Sequence, residues 1–411
     1  MDWPLVRLDE LYEIARGGSP RPIKKFLTDD PDGINWIKIG DATASGKYIY
    51  ETKEKIIPEG KKRSRFVNEG DFLLSNSMSF GRPYIMATTG CIHDGWLVLS
   101  PKDDQVDQDF LYYLLGSPFV FQQFDSLAAG STVRNLNIDL VSGVKIPLLP
   151  LEEQKRIVAI LNQAFADIDK ARALTEQNLK NARELFESYL QQVFSQRREG
   201  WKTSKLKSIA SKIGSGATPK GGKAAYKAEG ISLIRSMNVH DRRFLEKDLA
   251  FIDDDQAEKL SNVVVEKNDV LLNITGASVA RCALAPEQFL PARVNQHVSI
   301  IRVNQKELLP AFLNYALTSK FYKDQLLGIG ESGSTRQAIT KQQIEYFEVS
   351  YPLSIDQQTR YVQQLMHLES QVNEVQCIYE KKLDSLDELK KSVLQKAFVG
   401  ELKKDNKEAA A

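Results

Sequence analysis

The stretch Leu190-Gln191-Gln192-Val193-Phe194 returns later in the chain as Leu394-Gln395-Lys396-Ala397-Phe398. Upstream, Glu153-Gln154 returns as Gln357-Gln358, and the two offsets agree, because 394 minus 190 and 358 minus 154 both give 204. One register therefore runs through a whole helical segment without insertion or deletion. Solenoid repeats recur every 20 to 50 residues or so, so this longer period indicates two copies of a unit made of one domain and one long helix.

A globular segment precedes each of these helical segments, and the two share the same order of features. The first opens at Trp3 and reaches a turn at Gly17-Gly18-Ser19-Pro20, and the second opens at Trp201 and reaches its matching turn before Pro219. Short apolar runs in both segments, such as Ile34-Asn35-Trp36-Ile37 in the first, predict strands. The matching offsets vary in the globular segments, because loops absorb length changes that a helix paired along its length cannot.

Helices are also predicted inside both globular segments. An apolar pattern predicts one helix from Phe110 to Phe121 in the first segment and one from Phe312 to Leu327 in the second. Each globular segment is therefore expected to fold as a mixed α/β domain.

Apolar residues recur at alternating four- and three-residue steps along both long helical segments. Such sustained heptads favour a two-helix coiled coil over two helices that are buried separately on their own domains. The first helix is predicted to start after Pro150, and Ser354 to Gln357 reads as a capping box for the second. The predicted seam residues are Ile157, Leu161, Ile168 and Leu185 in the first helix, and Leu365, Leu368, Val372, Leu386 and Leu389 in the second.

The connection between the helices predicts their relative direction. Each helix has about 45 residues and spans roughly 65 Å, whereas a domain of about 150 residues is only roughly 35 Å across. The chain cannot easily return to the start of the first helix, so the helices are expected to run antiparallel. The predicted fold class is α+β: two mixed α/β domains at opposite ends of a long antiparallel two-helix coiled coil, with an internal pseudo-two-fold repeat.

Domain boundaries follow from these patterns. We predict a first globular domain at 1–146, a central helical segment at 147–198, a second globular domain at 199–353, a C-terminal helical segment at 354–404 and a disordered tail at 405–411.

Composition restricts the class of protein further. The hydrophobic content of 42% suffices for folded cores, and the net charge of +1 neither requires nor excludes a polyanionic partner. Cys91, Cys282 and Cys377 are scattered and odd in number, which argues against a disulfide framework. Without an apolar run of about 18 residues or an apolar signal core, we expect a cytoplasmic protein.

Patterns that suggest catalysis fail in their context. Gly328 to Gly333 spells G-x-G-x-x-G, but it follows a predicted helix rather than the strand that a dinucleotide site requires. Pro31-Asp32 with Glu51 and Lys53 resembles a metal-nuclease pattern, although the other half carries no equivalent. The histidines are isolated from one another. We therefore predict no active site and no bound metal or cofactor.

The duplicated arrangement resembles the specificity subunits of type I restriction-modification enzymes over nearly the full chain. The resemblance rests on Trp3 to Leu8, the Gly17 turn, the segment Ile146 to Gln154, and Gly130-Ser131-Thr132 with Arg134, which recurs as Gly333-Ser334-Thr335-Arg336. The second copy departs in having Gln357 where the first has Glu153.

The resemblance implies a non-catalytic DNA-recognition subunit in a host-defence system. Each globular domain would read one half of a bipartite, asymmetric target in double-stranded DNA. The coiled coil would set the distance between the half-sites and dock two adenine-N6 methyltransferase subunits, with two motor-nuclease subunits added in the full complex. S-adenosylmethionine would belong to the methyltransferase partner, and ATP and Mg²⁺ to the restriction partner.

Contacts to DNA phosphates are expected from lysine and arginine, and base reading from Arg, Asn, Gln, Ser or Thr. The candidate DNA-binding residues are Arg21, Lys24, Lys38, Arg63, Arg82 and Arg134 in the first domain, and Lys220, Lys223, Arg235, Arg281 and Arg336 in the second.

Two alternatives remain open from the sequence. One is a non-catalytic coiled-coil adaptor with two protein-binding heads, which would show no DNA affinity even with the methyltransferase present. The other is a lone nuclease built on Asp32, Glu51 and Lys53, which would cut DNA by itself with Mg²⁺.

Overall fold

A computed structural model describes residues 3–76, 81–128, 135–196, 199–331 and 337–402 of the chain. Contacts between residues group the chain into two compact units. Unit 1 comprises residues 1–175 and 381–411, and unit 2 comprises residues 176–380. The predicted tail at 405–411 lies outside the described residues, as do Arg134 and Arg336.

Unit 1 contains a mixed α/β domain. Its strands are β1 (Leu5–Arg7), β2 (Tyr12–Arg16), β3 (Leu27–Thr28), β4 (Ile34–Ile37), β5 (Tyr48–Ile49), β6 (Glu54–Ile56), β7 (Arg65–Val67), β8 (Phe72–Ser75), β9 (Pro83–Met86), β10 (Gly90–Ile92), β11 (Trp96–Pro101) and β12 (Lys145–Pro147). Its short helices are α1 (Leu8–Leu11), α2 (Ile39–Ser45), α3 (Pro58–Lys61), α4 (Gln108–Leu115), α5 (Pro118–Ala128) and α6 (Ile138–Ser142), with a 3-10 turn at Ile23–Lys25.

Unit 2 contains the second mixed α/β domain. After the first long helix, α7 (Leu151–Phe194), its strands are β13 (Trp201–Lys205), β14 (Ala210–Ser215), β15 (Ile231–Ile234), β16 (Val239–His240), β17 (Arg243–Phe244), β18 (Ala250–Ile252), β19 (Val264–Val265), β20 (Val270–Asn273), β21 (Cys282–Leu284), β22 (Ala292–Val294), β23 (Val298–Val303) and β24 (Glu348–Pro352). Its helices are α8 (Leu206–Ile209), α9 (Asp254–Glu258), α10 (Pro310–Thr318), α11 (Lys320–Glu331) and α12 (Lys341–Tyr346), followed by the second long helix, α13 (Ile355–Phe398); its 3-10 turns include Gly222–Ala225.

The two domains share their sheet topology. One sheet of unit 1 has the order β2-β11-β8-β9-β5, and unit 2 repeats it as β14-β23-β20-β21 without the last strand. A second five-stranded sheet of unit 1 has the order β3-β6-β4-β10-β7, which returns as β18-β15-β22-β19 without the first strand. The duplication seen in the long helices therefore extends through both of the larger sheets, with edge strands gained or lost. The two-stranded sheet β1-β12 likewise returns as β13-β24.

The central strands are mostly apolar because both of their faces are buried. Phe72 and Leu74 of β8 face the core against helices α4 and α5, whereas Leu73 points to the opposite face and packs in a second core with Val98. Alternate residues of a strand point to opposite faces, so a strand between two cores loses the alternation of polar and apolar residues.

Each predicted helix within the domains is in fact two helices. The pattern from Phe110 to Phe121 continues through Gly116, but α4 ends at Leu115 and α5 begins at Pro118. Proline lacks the N–H that a continuing helix needs and suits the first turn of a new one. In unit 2, the predicted helix from Phe312 to Leu327 is likewise split between α10 and α11.

The two long helices pair antiparallel within each unit. In unit 1, Asp169 pairs with Lys390 and Arg172 pairs with Asp387, so one residue number rises as the other falls. In unit 2, Arg183 pairs with Glu380 and Tyr189 donates a hydrogen bond to Gln364.

At the start of α13, Gln357 N donates to Ser354 Oγ at 3.4 Å, which is one half of the predicted capping box.

The predicted seam is buried over part of its length. Ile157, Leu161, Ile168, Leu365 and Val372 are buried, and Leu368 and Leu386 are partly buried.

Two seam predictions require correction, at Leu185 and Leu389. These residues are equivalent under the 204-residue repeat, and their side chains are 59% and 47% exposed. Phe186, the next residue along α7, is buried instead. Ala171, Thr175 and Leu179 follow one another at two successive four-residue steps and are all at least partly buried. Such a stutter moves the stripe by one residue relative to a strict heptad.

A buried glutamine joins each domain to the start of its long helix. In unit 1, Gln154 Nε2 donates to the carbonyls of Leu149 at 2.7 Å and Gln105 at 2.9 Å, and its Oε1 accepts from Asp107 N at 2.7 Å. The side chain is fully buried, so these bonds satisfy groups that water cannot reach.

Gln358 makes the same three bonds in unit 2. Its Nε2 donates to the carbonyls of Pro352 at 2.8 Å and Glu307 at 2.9 Å, and its Oε1 accepts from Leu309 N at 2.8 Å. The glutamine that Glu153-Gln154 and Gln357-Gln358 share as their second residue therefore has the same structural role in both units.

A second contact between the domain and the helices of unit 2 is built on charge. Arg242, at the tip of the β16–β17 hairpin, donates from Nε to Glu369 at 2.8 Å and from Nη2 to Glu187 at 3.0 Å. Its guanidinium lies over the Phe186 ring at 4.8 Å, and Tyr315 donates to the other oxygen of Glu369 at 2.8 Å. The hydrogen bond and charge of Glu369 raise the pKa of Arg242 despite its burial.

The matching contact of unit 1 is built mainly on aromatic rings. Lys47 pairs with Asp109 at 2.6 Å and lies 5.1 Å from the ring centroid of Tyr113. Tyr113 in turn packs edge-on against Phe165 of α7, and Lys390 of α13 lies 4.9 Å over the Phe165 ring. Cations near aromatic faces are attracted by the ring quadrupole.

Candidate nucleic-acid interface

The glycine turn of unit 1 is pressed against the segment that precedes β11. Gly17 N donates to Trp96 O at 2.9 Å, and Gly18 N donates to Ile92 O at 3.1 Å. A Cβ on Gly17 would lie 2.0 Å from His93 O, so no other residue fits there. The turn therefore brings Ser19 and the residues after it beside His93 and Asp94.

Asp94 is the polar centre of this contact. Ser19 Oγ donates to Asp94 Oδ1 at 2.6 Å, and this hydrogen bond lowers the pKa of the Asp94 carboxyl. Arg21 Nη2 lies 3.6 Å from Asp94 Oδ2. The backbone carbonyl of Asp94 accepts from Asn76 Nδ2 at 2.9 Å and from Arg16 Nε at 3.2 Å. The loop is thus held from several sides.

His93 is partly buried beside Asp94. Burial lowers the pKa of its imidazole, and the nearby Lys38 adds to this effect while Asp94 opposes it. Gly95 N donates to His93 Nδ1 at 2.8 Å, which requires that nitrogen to be unprotonated.

Three predicted cations of unit 1 line one groove with these residues. The groove is formed by Ser19, Pro20, Arg21, Pro22, Ile23, Lys24, Trp36, Lys38, His93 and Asp94. Arg21 and Lys24 are exposed, whereas Lys38 Nζ lies 2.5 Å from Glu54 Oε1. Arg21 and Lys24 are therefore the cations of the groove that are most accessible to a phosphate.

Arg63 and Arg82 were predicted in the same domain but do not line this groove. Arg63 is exposed with its guanidinium 5.7 Å from the Phe26 ring, and Arg82 is exposed just before β9. The carbonyl of Arg82 accepts from Ser75 N at 3.2 Å, next to Gly81, whose φ is +80°.

Unit 2 repeats the turn with other side chains. Gly216 N donates to Asn295 O at 3.1 Å, and a Cβ on Gly216 would lie 1.8 Å from Val294 O. Thr218 Oγ1 donates to Gln296 Oε1, as Ser19 donates to Asp94 in unit 1. Gln296 Nε2 also lies 3.0 Å from His297 Nε2.

The cations of unit 2 follow the same placement. Lys220 and Lys223 are exposed on and beside the 3-10 turn, as Arg21 and Lys24 are in unit 1. Arg235 follows β15 as Lys38 follows β4. Its Nη2 donates to the carbonyl of Asp248, and its guanidinium lies 5.3 Å from the Tyr226 ring. Its Nε is buried and has no hydrogen-bond partner in the described part of the chain.

Arg281 occupies the place of Arg82. It precedes β21, its carbonyl accepts from Asn273 N at 2.8 Å, and the residue before it, Ala280, has a φ of +65°. The described candidates thus form four pairs at equivalent positions: Arg21 with Lys220, Lys24 with Lys223, Lys38 with Arg235, and Arg82 with Arg281.

The polar partners of the two turns were not predicted from the sequence. All predicted DNA-binding residues are lysine or arginine, whereas Asp94 and Gln296 each lie at the centre of a turn contact. The available signal was the hydroxyl residue before each proline, Ser19 and Thr218, but its partner follows more than 70 residues later.

The first glycines of the G-x-G-x-x-G pattern lie in a helix. Gly328 and Gly330 lie within α11, so the G-x-G-x-x-G letters do not form a loop between a strand and a helix. Among the described residues, no group of three or more His, Cys, Asp and Glu side chains is placed to hold a metal ion. No helix in the described ranges is both long and apolar enough to cross a membrane.

Comparison with known proteins agrees with this architecture. A family model for the type I restriction modification DNA specificity domain matches residues 1–178 and 198–377. The type I restriction enzyme MjaVIII specificity subunit of Methanocaldococcus jannaschii is 22% identical, with 98% of this chain and 94% of the relative covered.

Two solved structures share the fold. One concerns complex assembly and conformational transition of the type I R-M system; its chain superimposes with a TM-score of 0.77 at 21% identity, over 97% of this chain and 98% of the other. The HsdS subunit from Thermoanaerobacter tengcongensis gives a TM-score of 0.60 at 21% identity, over 97% of both chains. The mixed α/β fold with two long helices is thereby confirmed.

Proposed function

The chain belongs to the type I restriction modification DNA specificity family, and on that premise we propose that it reads a bipartite, asymmetric DNA target, one half-site with each mixed α/β domain. Its relatives are named as specificity subunits, which are the non-catalytic parts of type I restriction-modification complexes. DNA target recognition is therefore its general role.

The observation that carries the proposal is the repeated placement of cations around the two glycine turns. Four pairs of lysine or arginine residues occupy equivalent positions in two domains that have otherwise diverged in sequence. Cations placed on loops suit phosphate contact, which positions a protein on DNA without reading its sequence. The side chains between them differ between the domains, which suits two unlike half-sites.

The long helices serve two roles in this proposal. They set the spacing between half-sites, which must be compatible with major grooves about one helical turn, roughly 34 Å, apart. They also dock two adenine-N6 methyltransferase subunits, and two motor-nuclease subunits in a full complex. We propose that the domains extend over 1–146 and 199–353, with spacers at 147–198 and 354–404.

The chemistry belongs to the partners in this scheme. The methyltransferase subunits use S-adenosylmethionine, and the restriction subunits use ATP and Mg²⁺, while this chain binds none of them. The working place is the cytoplasm, where chromosomal DNA is accessible.

Methylome sequencing of cells with and without this chain tests the proposal. We expect a gapped motif with one modified adenine on each strand, which disappears when the chain is deleted. An ungapped motif, or no motif lost on deletion, would contradict the bipartite assignment.

Binding in solution provides a second test. The chain with its methyltransferase should bind duplex DNA selectively, and its affinity should fall linearly with salt on a logarithmic scale as bound counterions are released. If no DNA affinity appears even with the methyltransferase present, a protein-binding adaptor becomes the better description. Methylation or cleavage of DNA by the isolated chain would contradict a non-catalytic role.

A further inference from the structure

Asp94 and Gln296 occupy the same position in the two domains but carry different chemical groups. Asp94 lies two residues before β11, and Gln296 lies two residues before β23. Each accepts a hydrogen bond from the hydroxyl residue that precedes the proline of the glycine turn, Ser19 or Thr218. The backbone arrangement is conserved between the domains, while the exposed functional group changes from a carboxylate to an amide.

Both side chains are accessible although their positions are fixed. The Asp94 side chain is 46% exposed, and Gln296 is an exposed residue. Asp94 is held by Ser19 Oγ at 2.6 Å, and its backbone carbonyl accepts from Asn76 at 2.9 Å. A recognition group that is fixed before binding loses less conformational entropy when its ligand arrives.

His297 adds to the fixation of Gln296. The amide Nε2 lies 3.0 Å from His297 Nε2, and the opposite ring nitrogen lies 2.5 Å from Thr275 Oγ1. The contacts from Thr275 to His297 and from His297 to Gln296 therefore help to orient the Gln296 amide.

Each group keeps hydrogen-bonding capacity after these contacts are counted. An ionised carboxylate has about four acceptor sites, of which Ser19 uses one and Arg21, at 3.6 Å, faces another. An amide has two donors and an oxygen with two lone pairs, and Gln296 uses one of each toward Thr218 and His297. Asp94 can therefore only accept further bonds, whereas Gln296 can donate and accept.

The surroundings argue for contact with bases rather than phosphates. Asp94 lies in the groove that also holds Arg21, Lys24 and Lys38. A carboxylate would repel a phosphate there, but it can accept from a base amino group while the cations beside it hold the phosphates. In the major groove only cytosine N4 and adenine N6 present such amino groups.

We propose that Asp94 and Gln296 are specificity-determining residues, each reading one base pair in the half-site of its domain. Asp94 accepts from N4 of a cytosine, and Gln296 forms a two-bond contact with N6 and N7 of an adenine, following the pairings that side-chain geometry favours. This assignment rests on the proposed DNA-recognition function.

The test uses the full chain with its methyltransferase partner and a pool of randomised DNA duplexes, whose retained members are sequenced. The informative variants are Asp94→Asn and Gln296→Glu, which change the chemical group and keep its size. Asp104→Asn serves as a matched control, because it removes one exposed carboxylate of unit 1 away from the groove.

The wild-type pool should require cytosine at one position of one half-site and adenine at one position of the other. Asp94→Asn should change that cytosine to adenine, with a preference on the order of ten-fold, and leave the second half-site unchanged. Gln296→Glu should change the adenine of the second half-site to cytosine and leave the first unchanged. Asp104→Asn should reproduce the wild-type motif.

Other outcomes distinguish a failure of the proposed DNA-recognition function from a failure of the residue assignments. If the wild-type complex enriches no sequence, the proposed function fails. If the wild type enriches a bipartite motif but Asp94→Asn retains the same bases, or loses all enrichment, the assignment of Asp94 is overturned and the proposed function stands. The same criterion applies to Gln296→Glu. A purely structural role would weaken binding at all sequences without replacing one base by another.

Discussion

The contacts between domain and long helices differ between the two units, although their backbone frame is the same. In unit 2, Arg242 bridges two carboxylates, Glu187 and Glu369, and stacks over Phe186. In unit 1, the corresponding region relies on Lys47, Asp109 and a set of aromatic rings that includes Tyr113. The buried glutamines, in contrast, make the same three hydrogen bonds in both units. Hydrogen bonds to the backbone have been retained, while contacts between side chains have been replaced.

The two contacts should therefore respond differently to substitution. A buried ion pair that loses one partner leaves an uncompensated charge, whereas a cation over aromatic rings leaves an apolar surface when it is removed. Three substitutions test these contacts, and a fourth measurement tests a polar group of unit 1.

The largest effect is expected for Arg242→Met. The Arg242 and Glu369 side chains are only 15% and 25% exposed, so the variant leaves Glu369 largely buried without its cation. We expect a loss of about 3 kcal/mol in the stability of unit 2, at the lower end of the range for broken buried pairs because Glu187 is half exposed. Hydrogen exchange of unit 2 peptides measured against urea concentration provides the value.

The double variant Arg242→Met with Glu369→Gln is the control for this prediction. It removes the stranded charge and should recover most of the lost stability. If the single variant costs less than about 1 kcal/mol, or the double variant is no better, the charged contact is not what distinguishes unit 2.

Gln154→Leu and Gln358→Leu should each cost less stability than Arg242→Met, and the two costs should be equal. Each variant leaves one backbone N–H and two carbonyls without their partner, at a cost of about 2 to 3 kcal/mol in its own unit. Gln163→Leu is the control, because the exposed Gln163 donates to Asp167 one turn along the same helix and the variant should have little effect. Costs that differ between the two units by more than about 1 kcal/mol would show that the joints are not equivalent.

A loss of about 1 kcal/mol is expected for Lys47→Met in unit 1. Since Lys47 lies near the rings of Tyr112 and Tyr113 as well as Asp109, much of its contribution should persist in about 1 M salt, where the Debye length is roughly 3 Å. Urea unfolding at low and high salt measures this. A difference that vanishes at high salt would mean that the ion pair with Asp109 dominates.

The smallest effect is a pH dependence confined to unit 1. Burial lowers the pKa of His93 below its ordinary value of 6.5, so the unfolded chain binds a proton first as the pH falls. The stability contributed by neutral His93 is present above pH 6.5 and is lost as the pH falls through the interval down to the lowered pKa. His93→Gln should flatten this dependence in hydrogen exchange of unit 1 peptides. An unchanged slope would assign the pH dependence to other groups.

The sequence predicted the architecture better than its details. The start of α7 after Pro150 and the strand at Ile34 follow from proline placement and an apolar run, which act locally. The seam at Leu185 could not be predicted, because Leu185 and Phe186 are both apolar and only a change of phase upstream decides which one faces inward.

The candidate site was predicted in part. Its cations were chosen for their charge and their position near turns, and the structure places four pairs of them at equivalent positions. Asp94 and Gln296 were not predicted, because their partners Ser19 and Thr218 lie far away in sequence and meet them only through the sheets. Gln154 was noted as part of the repeat, but its role depends on carbonyls that no local pattern reveals.

Phe165 and Lys390 in unit 1 occupy the positions that Glu369 and Phe186 occupy in unit 2. This difference affects whether one half of the chain could replace the other. Under the 204-residue repeat, Phe165 corresponds to Glu369 and Phe186 to Lys390. In a chain assembled from two copies of the second half, a lysine would replace Phe186 beside Arg242. Because the residues at these positions differ between the two copies, replacing one half by a copy of the other would change the contact at Arg242.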